Sequence, residues 1–406
     1  MFMNITPRPY QQEASDIIFD YVFDKKRKDS NGIIVAPPGS GKSVIIGHAA
    51  HRLVEQGKRV LCLCPSQEIT MQNHAKLSGF GYDAGIYSAS VGRRELGHDV
   101  TFAMIGSITR KSDLFADYDV IFVDECHKVN AKGGMYAKLF DELGKKVIGL
   151  SATPFRMANG LSGAELRMLN RTKPRIFHDM LYVIQNKDMF DQGFLAPLEY
   201  HDVFNFDLKR LKLNTSGSDY TDLSVQEYME SAGFDRRMVQ ALSRLHELGK
   251  KPLVFTRFVR QSYDLLNRFK SDFPNTTGAV LTGESDKTYR TEIIQAYAEG
   301  QIDFIANVGV LDTGVDFPKC DAVMLCSPIR SLGLLMQKQG RGTRPYPNKK
   351  CMIVDMCGNY NAFGHMEDIS YERDHKGLWC VFGKPIVNGV KTRRQITNKP
   401  LVTFFQ

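Results

Sequence analysis

Ala36-Pro37-Pro38-Gly39-Ser40-Gly41-Lys42-Ser43 decides the reading of this chain. It follows a short apolar run, Ile33-Ile34-Val35, and leads into a helical pattern, Val44-Ile45-Ile46-Gly47-His48-Ala49-Ala50. Strand, glycine-rich turn and helix in that order is the setting of a phosphate-binding loop. The glycines let backbone N–H groups turn inward around a triphosphate, and the helix N-terminus adds the positive end of its dipole. Pro38, Gly39, Ser40 and Gly41 form the cradle, Lys42 reaches the β- and γ-phosphates, and the Ser43 hydroxyl meets Mg2+. Ala36 stands where the strict pattern has its first glycine, and a small residue is tolerated at that turn. The alternative is a chance Gly/Ser turn ahead of a helix, and the rest of the sequence weighs against it.

Working outward, apolar runs alternate with helical patterns. Val60-Leu61-Cys62-Leu63-Cys64 is stopped by Pro65, and Ser66-Gln67-Glu68 opens the next helix. Thr101-Phe102-Ala103-Met104 is followed by Gly106-Ser107. Pro65, Ser66, Gln67, Gly106 and Ser107 sit at strand ends, where hydroxyls and helix N-termini hold phosphates of a nucleic-acid backbone; each is also a plausible plain N-cap. Val120-Ile121-Phe122-Val123 leads into Asp124-Glu125-Cys126-His127. Two carboxylates at the end of a buried strand are costly unless they serve a cation or a reaction. Asp124 is expected to hold Mg2+ through water, and Glu125 to orient and deprotonate an attacking water. Val147-Ile148-Gly149-Leu150 ends in Ser151-Ala152-Thr153-Pro154. Ser151 and Thr153 are candidates for relaying the state of that site, with a turn cap as the alternative. Upstream, Arg8-Pro9-Tyr10-Gln11-Gln12 opens a helix that buries Ala14, Ile17, Ile18 and Tyr21 at helical spacing. The Gln11 amide offers a donor and an acceptor, which suits an adenine edge; a solvated helix-end glutamine is the alternative.

Beyond an irregular stretch from about residue 155 to 250, a second α/β pattern begins. Its strands read as Leu253-Val254-Phe255-Thr256, Ala279-Val280-Leu281, Phe304-Ile305-Ala306-Asn307-Val308, Ala322-Val323-Met324-Leu325-Cys326 and Met352-Ile353-Val354-Asp355. Such runs between helices imply parallel sheets covered on both faces. The expected organisation is residues 1–200 as the first domain, 201–250 as a linker, 251–365 as the second domain and 366–406 as a basic extension. The second domain carries its own polar cluster: Thr256-Arg257, Thr282-Gly283, Thr313-Gly314-Val315-Asp316, and Gln337 through Arg344, with Arg341 and Arg344 three apart. From Lys376 the tail has no Asp or Glu but sets Lys384, Lys391, Arg393, Arg394 and Lys399 among Trp379, Phe382, Phe404 and Phe405. Basic and aromatic residues together suit nucleic acid, and a small β-rich extension with a solvated face explains them equally well.

Composition bounds the possibilities. The 406 residues are 43% hydrophobic and 24% charged, with a formal net charge of +8. The basic excess is compatible with a polyanionic partner. Eight cysteines include no C-x-x-C pair, which implies reduced thiols, no structural zinc and a cytoplasmic setting. The N-terminal residues lack a signal-peptide layout, and no apolar run approaches the ~18 residues of a membrane span.

In order, these stretches resemble the motifs of superfamily 2 helicases and translocases, from about Arg8 to Asp355. Arg8-x-Tyr10-Gln11 is similar to the adenine-sensing motif, Ala36 to Ser43 to motif I, and Pro65 to Glu68 to motif Ia. Asp124 to His127 is similar to motif II, Ser151 to Thr153 to motif III, and Val254 to Arg257 to motif IV. Thr313 to Asp316 is similar to motif V, and Gln337 to Arg344 to motif VI. Within that superfamily the chain looks most like RadD-type DNA repair proteins and related phage helicases, through Gly193-x-Leu195-x-Pro197 and Leu311 to Pro318. No cysteine-rich stretch of that kind occurs within these 406 residues, its motif II reads D-E-C-H, and its motif VI begins with glutamine. The resemblance implies two tandem RecA-like domains, ATP and Mg2+ as cofactors, and DNA as the track, in a bacterial or phage-infected cell. It makes Lys42, Asp124, Glu125, His127, Gln337, Arg341 and Arg344 catalytic, and it adds Arg8, Tyr10, Gly314 and Asp316 to the nucleotide site. Thr256, Arg257, Thr282, Gly283 and Thr313 join the nucleic-acid contacts, and Ser151 and Thr153 couple the two. The rivals are a nucleic-acid-binding module with a regulatory ATP switch, the motor of a restriction complex, and an RNA helicase.

Overall fold

Runs such as Ile33-Ile34-Val35 and Val120-Ile121-Phe122-Val123 suit strands covered on both faces. In the computed structural model both lie in a largely parallel sheet. Residues 6–160, 163–311 and 317–397 are described. The chain divides into two units, Met1–Arg156 with Arg167–Gln185, and Met157–Leu166 with Asn186–Gln406. Each is an α/β unit with its own sheet.

The first unit contains β1 (Gly32–Val35), β2 (Val60–Cys64), β3 (Gly85–Ser88), β4 (Arg93–Arg94), β5 (Val100–Met104), β6 (Val120–Asp124) and β7 (Lys146–Ser151). A two-stranded sheet of β8 (Phe155–Gly160) and β9 (Gly163–Met168), most of whose residues fall in the second unit, precedes β10 (Asp179–Val183). The sheet runs β10-β1-β7-β6-β2-β5-β3-β4, and only the last pair is antiparallel. This order sets the C-terminal ends of β1, β7 and β6 side by side, where open parallel sheets bind ligands. Three helices frame that edge: α1 (Pro9–Phe23), α2 (Lys42–Val54) and α3 (Gln67–Ser78). In α1, Ala14, Ile18 and Tyr21 are buried at helical spacing.

The second sheet runs β11-β16-β15-β12-β14-β13 and is parallel throughout, built from β11 (Leu198–Asp202), β12 (Pro252–Thr256), β13 (Gly278–Leu281), β14 (Phe304–Asn307), β15 (Ala322–Cys326) and β16 (Cys351–Asp355). Two features differ from the boundaries expected at 200 and 250. Strand β11 pairs with β16, so the chain enters the second sheet before residue 200. The stretch expected as a linker carries helices Asp222–Ser231 and Phe234–Glu247. Their Val225, Tyr228, Met229, Met238, Leu242 and Leu245 belong to the second unit's core. The apolar residues recur at helical spacing between charges, which is the pattern of a helix with one buried face.

The basic tail forms β17 (Ser370–Arg373), β18 (Trp379–Gly383), β19 (Ile386–Val387), β20 (Val390–Lys391) and β21 (Arg394–Gln395), all paired antiparallel. Several of its cations face acidic or aromatic neighbours. Lys384 reaches Asp368 at 2.7 Å, Arg393 reaches Glu372 at 2.6 Å, and Arg373 lies 5.2 Å from the Trp379 ring centre. All eight cysteines are buried. Among the described residues no helix is long and apolar enough to cross a membrane.

Candidate active site

The phosphate-loop stretch is a turn held from both ends. Ala36 N donates to Ser151 O at 3.1 Å, and both the Ser40 N–H and the Ser40 hydroxyl donate to Pro37 O, at 3.1 and 2.7 Å. Gly39 and Gly41 have φ of 91° and 77°, and Gly41 is the N-cap of α2. Ala36 has an ordinary negative φ, so a glycine is not required there. The first helix closes on the loop: Tyr10 Oη and Gln11 Nε2 both donate to Ser40 O at 2.8 Å. Gln11 Oε1 accepts from Arg8 N at 2.9 Å, so both ends of the amide expected at adenine are engaged within the unit.

Gly41 has a second reason to lack a side chain. A Cβ there would lie 2.6 Å from Gln11 Nε2, at a backbone angle that other residues avoid. Gly41→Ala is expected to lower unfolding stability by about 1–3 kcal/mol, read by urea denaturation. An unchanged midpoint would mean that the loop is not fixed by this contact.

The charged centre lies at the ends of β6 and β7. Asp124 is buried; its Oδ1 accepts from Glu125 N at 2.8 Å and its Oδ2 from Asn73 Nδ2 at 2.9 Å. Glu125 adopts a left-handed backbone, φ 52°, which is uncommon for a non-glycine residue and aims the side chain back at the loop. Its Oε1 lies 3.1 Å from Lys42 Nζ and its Oε2 lies 3.3 Å from His127 Nδ1. His127 Nδ1 is 2.9 Å from Ser151 Oγ, which accepts from Thr153 N at 3.0 Å. A continuous polar chain thus runs from Lys42 through Glu125 and His127 to Ser151 and Thr153. Burial pushes the Glu125 carboxyl up, but the Lys42 charge and the His127 hydrogen bond together hold it well below the usual carboxylate range. For Asp124, burial and then the Glu125 charge win, and its carboxyl sits above the usual range.

These residues fit a magnesium-bound nucleoside triphosphate. Two left-handed glycines precede a 13-residue helix, Lys42 presents an ammonium, and Asp124 ends the neighbouring strand. Asn73 Oδ1, beside that carboxylate, is buried without a hydrogen-bond partner. An unused acceptor next to a carboxylate suits a hydrated cation, whose waters donate. Ser43 occupies the second position of α2.

Elsewhere in the first unit, Ser66 caps α3 by accepting from Ile69 N at 3.3 Å. Ser107 Oγ accepts from Ala89 N at 3.0 Å, and Gly106 faces open space. Pro65, Ser66 and Gln67 follow β2, and Gly106 and Ser107 follow its neighbour β5, so they share one edge of the sheet.

In the second unit the expected nucleic-acid residues are mostly engaged internally. Thr256 Oγ1 lies 2.6 Å from Ser262 Oγ. Arg257 donates to Asp222 and Tyr220 O, each at 2.8 Å, and pairs with Asp219 at 3.2 Å, so it clasps the 219–222 segment. Thr282 is buried and Gly283 is exposed after β13. Gln337 lies near the end of helix Leu332–Gln339, and Arg341 and Arg344 lie past it in a turn, rather than on helical faces. A Cβ on Gly342 between them would lie 2.3 Å from Cys351 Sγ. Thr313, Gly314 and Asp316 lie outside the described residues.

Asn73 carries none of the motif signals in the sequence. The one signal it does carry is spacing: Ile69, Asn73 and Leu77 recur every four residues, which puts the amide on the buried stripe of α3.

Residues 4–156 match the family described as type III restriction enzyme, res subunit, and residues 236–345 match the helicase conserved C-terminal domain. Through these domains and the relatives the chain is similar to superfamily 2 helicases. A 51.5 kDa protein of a Lactococcus phage is 25% identical over 336 residues, spanning 82% of this chain and 67% of that one. IRC3 of Saccharomyces cerevisiae, named as a candidate ATP-dependent helicase, is 25% identical over 86% of this chain and 51% of its own length. XPB2 of Sulfurisphaera tokodaii, named as a DNA 3′–5′ translocase, is 23% identical over 81% of this chain and 78% of its own. This chain therefore spans about half of IRC3. Among solved structures, a type ISP restriction-modification enzyme, LlaBIII, bound to DNA superposes with a TM-score of 0.64 at 16% identity, over 86% of this chain and 27% of that one. The fold is that of two RecA-like domains, and helicases of this family use ATP.

Proposed function

We propose that the chain is an ATP-driven motor that moves along DNA or remodels it in replication, recombination or repair. The carrying observation is the Lys42–Glu125 pair, 3.1 Å apart at the mouth of the phosphate loop with Asp124 beside it. Magnesium bound with the nucleotide supplies charge neutralisation at the β- and γ-phosphates. Lys42 and the loop N–H groups hold the phosphates, and Asp124 and Ser43 hold the metal. Glu125, kept ionised by its neighbours, orients and deprotonates the attacking water. Arg341 and Arg344 are the candidate arginines for neutralising charge on the transferring phosphate. Pro65, Ser66, Gln67, Gly106 and Ser107 grip the nucleic-acid backbone, a sequence-independent and salt-sensitive contact. Support for DNA as the track comes from the basic excess of +8 and from the DNA-translocase relative.

The test is multiple-turnover ATP hydrolysis with and without single-stranded, forked and junction DNA, and with RNA. Stimulation by DNA is expected. A nucleotide that is bound but never turned over would make the site a switch instead. A second reading, the motor of a restriction assembly, is favoured by the match of residues 4–156 to a restriction subunit. Stimulation confined to DNA carrying one recognition sequence would select it.

A further inference from the structure

Asn73 joins two parts of the first unit that have separate tasks in the proposed reading, on which this inference rests. It lies on α3, whose first turn is capped by Ser66 at the expected nucleic-acid edge. Its side chain is fully buried, and its Nδ2 donates both to Cys64 Sγ, at 3.5 Å, and to Asp124 Oδ2, at 2.9 Å. Asp124 has two oxygens to orient. One is fixed by the next backbone N–H in its own strand-end turn, and the other, among the described residues, by this amide from α3. The same helix that begins at the backbone grip therefore holds one of the two oxygens of the expected metal ligand. A buried acceptor deprived of its donor bears its full desolvation penalty, so a shift of α3 that loosens the contact is resisted at Asp124.

We infer that Asn73 is a positioning residue that ties the orientation of the Asp124 carboxylate to the seating of α3. Nucleic acid held at Ser66 and Gln67 and magnesium nucleotide held at Asp124 then change each other's affinity through this one hydrogen bond. The coupling is reciprocal, because both ligands bias one element. It runs inside the first unit and needs no contribution from the second.

The test measures binding rather than turnover. The affinity of a labelled single-stranded DNA is measured by anisotropy with and without Mg2+ and a non-hydrolysable ATP analogue. The wild type is expected to show a ratio of about fivefold or more, the lower end of ordinary coupling. Asn73→Ala is expected to bring that ratio towards one and to raise the Mg2+ concentration needed for half-maximal analogue binding. A merely structural role would lower the unfolding temperature and leave the ratio alone, and that result overturns the inference. Asn73→Leu fills a similar volume without a donor and replaces the alanine variant if the latter does not fold. A wild type that binds both ligands with a ratio of one also overturns the inference while leaving the motor reading intact. A wild type that binds DNA under no condition overturns the motor reading and the coupling with it.

Discussion

Glu125→Gln is expected to hold nucleotide more tightly than the wild type while turning it over at least about a hundredfold more slowly. The two effects have one cause. Glu125 Oε1 sits 3.1 Å from Lys42 Nζ, so the carboxylate competes with the phosphates of a nucleotide for the ammonium. Gln keeps the shape and an acceptor but loses the charge. A hydrogen bond to a charged partner is stronger than a neutral one by about 1 kcal/mol, so releasing Lys42 is easier by about fivefold in affinity. The amide cannot take a proton from water, and general-base catalysis is worth about 10²–10⁴-fold. A fluorescent ATP analogue titrated into both proteins, alongside steady-state hydrolysis, separates the two. Hydrolysis at the wild-type rate would remove Glu125 as the base, and unchanged or weaker binding would mean that the pair does not compete with the ligand.

The central strands were legible because a parallel sheet covered on both faces demands unbroken apolar runs, and Ile33 to Val35, Val60 to Cys64 and Val120 to Val123 supply them. Edge strands obey a weaker demand. Asp179–Val183 and Leu198–Asp202 are each bonded on one side only and are mostly half-exposed; Glu199 and His201 interrupt the second of them, and its pattern fades. The helices between Asp222 and Glu247 were hidden by the turn-rich stretch Leu213 to Asp219, whose polar, glycine-containing composition suggests a linker that extends further than it does.

In the site, residues whose chemistry is costly to bury announced themselves. Lys42, Asp124 and Glu125 have few bland explanations at strand ends. Asn73 and Arg257 do not behave that way. An amide is cheap anywhere on a helix, and only its contact with Asp124 gives it meaning. An arginine near a strand end reads as a phosphate contact, yet Asp219, Tyr220 O and Asp222 converge on Arg257 from a segment 35 to 38 residues upstream. Partners that distant in sequence are not visible until the chain is folded.

Lys42→Ala is expected to do two separable things. It removes the ammonium from the phosphate loop, so nucleotide affinity falls by tenfold or more, about 1.4 kcal/mol or beyond, and turnover is lost with it. It also leaves Glu125, whose side chain is only 12% exposed, with His127 as its remaining close partner. Removing one member of a buried pair costs about 3–5 kcal/mol, because the other charge stays behind. The variant should therefore be less stable than the wild type even without ligand, as read by urea unfolding at pH 7. Adding Glu125→Gln to Lys42→Ala is expected to return most of that stability and none of the nucleotide affinity, which distinguishes a stranded charge from a collapsed loop. The pH dependence has a fixed sign. Glu125 is held below its ordinary value in the folded protein, so the stability it contributes is present above about pH 4.3, its unfolded value, and is lost as the pH falls towards the folded value. The gap between the wild type and Lys42→Ala should shrink over that acid range. A gap of the same size at pH 7 and pH 3 would mean that the lost stability came from packing of the Lys42 stem, and the double variant would then stay as unstable as the single one.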